Sequence, residues 1–151
     1  MWTWLEKGRE LAEAIPYAIV ALIARLAVAN VFWRSGQTKV EGFFHIKENT
    51  FFLFSEEYKV PLLPPDLAAY LATIAEHAFP ILLIVGLASR LSALGLILMT
   101  AVIQLFVYPD GWPDHILWFA LLLVILARGP GTLSLDHLIW NRVQPAPAHA
   151  S

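Results

Sequence analysis

Four apolar runs, each approaching the length of a membrane span, punctuate this chain at residues 14–33, 67–88, 91–107 and 113–128. Crossing about 30 Å of hydrocarbon takes roughly 20 helical residues at 1.5 Å each. The first two runs meet that length. The last two are shorter, and the fourth reaches both interfaces only when Trp112 and a snorkelling Arg128 are counted. Breakers separate the runs: the connector prolines at 61, 64 and 65, the Ser89-Arg90 turn, the YPDGWPD segment, and Gly129-Pro130-Gly131. The pattern predicts an all-α fold, a four-transmembrane-helix bundle occupying residues 14–136. Residues 1–13, with Trp2, Trp4, Leu5 and Leu11 among charges, read as an N-terminal interfacial segment or, equally, a loose terminus, and residues 137–151 as a flexible tail.

Between the first two runs lies a connector with aromatic residues at 43, 44, 51, 52 and 54 set among Lys47, Glu48, Glu56 and Glu57. Rings beside charges suit a segment lying at the membrane interface. Asp66 stands where an N-cap would open the second span. Pro80 inside that span should bend it, which fits a site or simple packing equally well.

Polar residues inside the runs are the informative exceptions: Arg25, Asn30, Thr73, Glu76, His77 and Gln104. A cation in hydrocarbon costs about 2.5–3.5 kcal/mol on insertion scales, so Arg25 must face protein, water or an opposite charge. Counting inward from residues 14 and 88 puts Arg25 and Glu76 both roughly 17 Å deep. They are expected to pair across the first two helices, within a polar layer that the other four residues complete.

Composition agrees with a membrane protein: 58% hydrophobic and 15% charged residues, against about 25% charged in soluble domains, and a mean hydropathy of +0.63. A net charge of −2 without a basic block offers nothing to nucleic acid. Zero cysteines exclude disulfides, thiolate metal sites and a cysteine nucleophile. Four spans place both ends of the bundle on one side, with Lys7, Arg9, Arg90, Arg128 and Arg142. Arg34, Lys39, Lys47 and Lys59 lie opposite. The positive-inside rule then orients the termini to the cytoplasm.

Arg34, Lys39, Asp66, Tyr108, Trp112 and His115 should gather near the outer surface, where rings, cations and a titratable imidazole suit a quinone-like ring. The same residue types also collect at membrane interfaces that bind nothing. No metal centre is expected: His77 and Glu76 diverge by about 100° on a helix, and the other histidines are scattered.

Phe32, Gly36 and Lys39 after Arg25, Gly86 and Arg90 after Glu76, then Gly129, Gly131 and Asp136 together resemble the DoxX family of small four-helix membrane proteins. That resemblance implies a bacterial inner-membrane bundle linked to redox work. Relatives include the membrane subunit of a thiosulfate:quinone oxidoreductase and proteins associated with thiol and oxidative-stress enzymes. Others are accessory proteins beside maturation systems for small metal-binding peptides. Two readings therefore stand. One is a redox-associated subunit that takes a quinone and serves a partner oxidoreductase, with no other cofactor expected. The other is a non-catalytic anchor or assembly protein. A transporter is disfavoured, because four short helices leave little room for a gated path.

Overall fold

The computed structural model describes residues 2–42, 44–58 and 60–143, with the side chains of residues 2 and 3 excepted. The expectations for Trp2, Phe43, Lys59 and the last eight residues of the tail lie outside the described side chains or residues. Seven α-helices appear among the described residues: α1 (Trp2–Glu13), α2 (Tyr17–Lys39), α3 (Glu48–Glu56), α4 (Pro65–Val85), α5 (Ser89–Val102), α6 (Trp112–Arg128) and α7 (Leu135–Val143). A π-helical turn, Ile103–Val107, extends α5, and a 3-10 turn, Pro109–Gly111, leads into α6. Strands β1 (Val40–Glu41) and β2 (His45–Ile46) form a minimal antiparallel hairpin, with Val40 opposite Ile46.

Four helical segments are long and apolar enough to cross a membrane: Tyr17–Lys39, Pro65–Val85, Ser89–Val107 and Pro109–Arg128. Each packs against the next, and α6 closes the ring against α2. The first span runs six residues past the expected 33, because nothing between Arg34 and Lys39 breaks a helix. Pro80 leaves α4 unbroken. Helix α7 occupies much of the region read as tail from residue 137.

What the bundle buries identifies its surroundings. Ala21, Ala24, Val28, Ala29, Phe32 and Gly36 make the inward stripe of α2, and Ala93, Leu96, Leu122 and Ile125 meet it from α5 and α6. Ser89, Ser92, Thr73 and Thr100 are buried as well, whereas Ile23, Ile74, Leu98, Leu117 and Leu123 point outward. Hiding hydroxyls while presenting branched aliphatic chains is unfavourable in water and favourable in lipid, where small residues let helices approach closely.

Two ends of this bundle differ. At one, here the connector face, Lys47 N and Thr50 Oγ1 both donate to Lys39 O at 3.0 Å, and Lys47 Nζ donates to Thr38 O at 2.9 Å. The connector thus folds back to satisfy carbonyls that the end of α2 leaves open. Its helix α3 packs on α4 through Phe54, Ala68 and Ala69. The other end, the α7 face, carries the start of α2, the α4–α5 turn and the end of α6.

Candidate functional site

The α7 face is fastened by Arg25, which is completely buried. Its Nη1 donates to Leu83 O at 2.9 Å and Ile84 O at 3.3 Å, and its Nη2 donates to Leu133 O. Leu83 and Ile84 end α4, where carbonyls lack helical partners and the macrodipole is negative, so a guanidinium is well placed. Gly86 closes the helix at φ +72°. Asp136 completes the fastening: its N–H donates to Gly86 O at 2.8 Å, and its carboxylate accepts from Ala88 N at 2.7 Å and Ser89 N at 2.9 Å. The motif residues at 25, 86 and 136 are therefore one structural latch.

The expected Arg25–Glu76 ion pair is not formed. Glu76 Oε2 lies 2.7 Å from Lys39 Nζ, and its Oε1 accepts from Ser35 Oγ at 3.1 Å. The two helices are offset along their axes. Gly36 is a close approach of α2 to α4: a β-carbon there would lie 2.8 Å from His77 Cε1 and 3.2 Å from Glu76 Cβ. Glu76 is thus level with Gly36, while Arg25 is level with Gly86. Ten residues, about 15 Å of helix, separate Glu76 from Gly86. Assuming that both spans begin in one plane hid this slide.

The rest of the expected polar layer divides. Thr73 and His77 are buried, with His77 Nδ1 2.7 Å from Thr73 O and Nε2 3.0 Å from Gln37 Nε2. Trp33 and Phe44 meet the His77 ring edge-on. Gln104 is half-buried, bonding His115 Nδ1 at 2.6 Å and Pro109 O at 2.5 Å. Asn30 does not belong to the layer: it is exposed on α2, because its position falls outside the 21–25–28–32–36 stripe that faces the core.

Toward the connector face the four spans border a half-open cavity of about 1020 Å³. Phe32, Phe79, Met99 and Trp118 supply its apolar wall, and Ser35, Lys39, Glu76, Tyr58, Tyr108 and His115 its polar groups. Glu76 is 3% and Lys39 13% exposed at the side chain. Lys39 Nζ also donates to Ser35 Oγ at 3.2 Å, so lysine, serine and glutamate form a closed triangle. Phe32, Trp118 and His115 follow one another at ring separations of 5.6 and 4.8 Å. Gln104 Oε1 accepts from Nδ1 when that nitrogen carries the proton, which leaves Nε2 as an acceptor. At the rim, Tyr58 and Tyr108 share a hydrogen bond of 2.8 Å. Burial and that bond push the Tyr58 phenol well above its ordinary value near 10.

Of six residues expected to gather, Arg34, Lys39, Tyr108 and His115 line this cavity. Asp66 and Trp112 do not; both are exposed in the first turns of α4 and α6. Sequence reasoning missed Ser35, Tyr58 and Glu76 as lining groups. One signal was available: Phe32, Ser35 and Lys39 follow at i, i+3 and i+7, a single face of α2.

An all-helical ring of four apolar spans around an aromatic, charge-bearing cavity defines an integral membrane protein. The DoxX family profile matches residues 20–109, and the chain belongs to that family. A Haemophilus influenzae protein described as uncharacterized is 31% identical over 143 residues, covering 88% of this chain and 91% of the relative. No solved structure matches the chain significantly.

Proposed function

We propose that this chain is a redox-associated subunit of a bacterial inner membrane, termini cytoplasmic, whose connector-face cavity takes a quinone for a partner oxidoreductase. One observation carries the reading: an aromatic-walled cavity whose polar end holds the Lys39–Glu76–Ser35 triangle. Ligand sites are mostly apolar with a few convergent polar groups, and the volume suits a ring with part of a tail. A bound quinone would accept electrons together with protons. The residues fit that group at both ends. Lys39 Nζ would donate to one carbonyl, and His115 or Arg34 would meet the other. Glu76 would hold the Lys39 ammonium beside the first carbonyl, and Phe32 and Trp118 would flank the ring. Phe79 and Met99 keep the wall dry, so a charge shift there is felt strongly.

A short-chain ubiquinone titrated against Trp118 fluorescence, in a parent chain whose other five tryptophans are replaced by phenylalanine, tests this. Saturable quenching in the parent chain, lost in Lys39→Met and His115→Leu while helicity is retained, supports it. Equal quenching in all three proteins, with no quinone co-extracted from native membranes, overturns it.

A second reading, a non-catalytic anchor or assembly protein such as one serving metal-binding peptide maturation, draws on α1. Every described side chain of α1 is exposed, including Trp4, Leu5 and Leu11. Under that reading, deleting α1 abolishes partner co-purification and the cavity variants leave it unchanged.

A further inference from the structure

On the α7 face a second cavity, of about 860 Å³, lies between the start of α2, the start of α5, the end of α6 and α7. Two arginines border it. Arg90 packs its guanidinium over Gly129, with Nη2 3.4 Å from where a β-carbon would stand, and Arg128 lies 5.4 Å from the Tyr17 ring centre. Tyr17 Oη donates to Gly129 O at 2.7 Å, which fixes the backbone between the two cations. Neither arginine has a carboxylate within 4.0 Å among the described residues. Asp136 also lines the cavity, but both its oxygens are taken by the N–H groups of Ala88 and Ser89. Arg90, Arg128 and Asp136 together leave the cavity one net positive charge.

A third observation points to an absent partner. Ser89 is 0% exposed and lines the cavity, and its hydroxyl has no hydrogen-bond partner among the described residues. A buried hydroxyl without a partner costs about 1–3 kcal/mol, so it marks a place where an acceptor belongs. Two guanidiniums without carboxylate partners call for an anion that accepts several hydrogen bonds, which is the chemistry of phosphate, and a turn of the buried Ser89 side chain would add a third donor.

We propose that this cavity binds the phosphodiester headgroup of an anionic phospholipid. The site sits where the apolar spans end, and exposed Leu91, Ile139 and Trp140 offer an apolar and aromatic margin beside it. That margin suits acyl chains and the interfacial glycerol region, and has no use for a free ion. Basic pockets between spans are a recognised mode of headgroup binding. The proposal is independent of the quinone reading, since the two cavities lie at opposite ends of the bundle.

The test uses the full chain in detergent, with phosphatidylglycerol or phosphatidylcholine added and lipid adducts counted by native mass spectrometry. Phosphatidylglycerol should be retained in preference to phosphatidylcholine, and Arg90→Gln with Arg128→Gln together should raise its half-saturating concentration by about thirtyfold. Arg90→Lys with Arg128→Lys keeps the charge and should retain most of the binding, which guards against a folding defect in the glutamine pair. Arg9→Gln with Arg142→Gln removes the same charge outside the cavity and should leave retention unchanged. Equal retention of the two lipids overturns the proposal, as does a matching loss in the Arg9/Arg142 pair. Inorganic phosphate at matched ionic strength that displaces phosphatidylglycerol completely would identify a free anion as the occupant and overturn the lipid assignment.

Discussion

Lys39 and Glu76 are each tolerable in the bundle because of the other. Removing one partner of a buried ion pair strands the remaining charge, at a cost of about 3–5 kcal/mol. The two deletions should differ, because Lys39 is the more exposed and its flexible stem can carry a freed ammonium toward the connector face. Lys39→Met is therefore expected to destabilise by about that amount, Glu76→Gln by less, and the double variant less than Lys39→Met alone. Unfolding in mixed micelles across the cycle measures this; a double variant as unstable as the sum of the singles would rule out direct coupling. Asp136→Ala removes acceptors from two N–H groups at the head of α5 and should cost about 0.5–2 kcal/mol in the same assay.

At the scale of elements, the α4–α5 turn and the connector are where geometry is tightest. Gly86 combines φ +72° with a neighbour, Ser134 Cα, only 2.8 Å from where a β-carbon would stand. Gly86→Ala must strain the backbone and push the 129–136 loop aside, so a loss of more than about 1 kcal/mol is expected. Thermal unfolding of the reconstituted protein checks it. The connector meets the α5–α6 turn through Tyr58 and Tyr108. Because the Tyr58 phenol is pushed up in the folded state, its contribution is complete below about pH 10, the ordinary value. Above that, the unfolded chain releases the proton more readily, and the contribution fades as pH rises. Proteolysis of the connector should accelerate above pH 10 in the parent and depend less on pH in Tyr58→Phe.

Over the whole molecule, the bilayer made the architecture legible. Hydrocarbon thickness imposes a length on each span, and residues 14–33, 67–88, 91–107 and 113–128 show it directly. Register between spans left no such mark. Sliding α2 along α4 keeps every apolar residue in lipid, so hydropathy could not tell that Gly36, and not Arg25, faces Glu76. The cue was steric: glycine at 36 permits the approach that sets the offset. Asn30 misled for a related reason, since a polar residue beside apolar ones says nothing about which way it faces. Four of the cavity's polar residues, Arg34, Lys39, Tyr108 and His115, were readable as residue types at one depth. Glu76 was not, because its partner had been assigned by depth alone.

Arg25 also imposes an order in time. The carbonyls that receive its guanidinium belong to residues 58, 59 and 108 positions later in the chain. A ribosome must therefore deliver this cation into the membrane long before its acceptors exist, and the nascent helix needs shelter in the insertion machinery, or at the water line, until the last span follows. Truncations ending before residue 133 should then remain bound to the insertase, whereas chains reaching past Asp136 should be released.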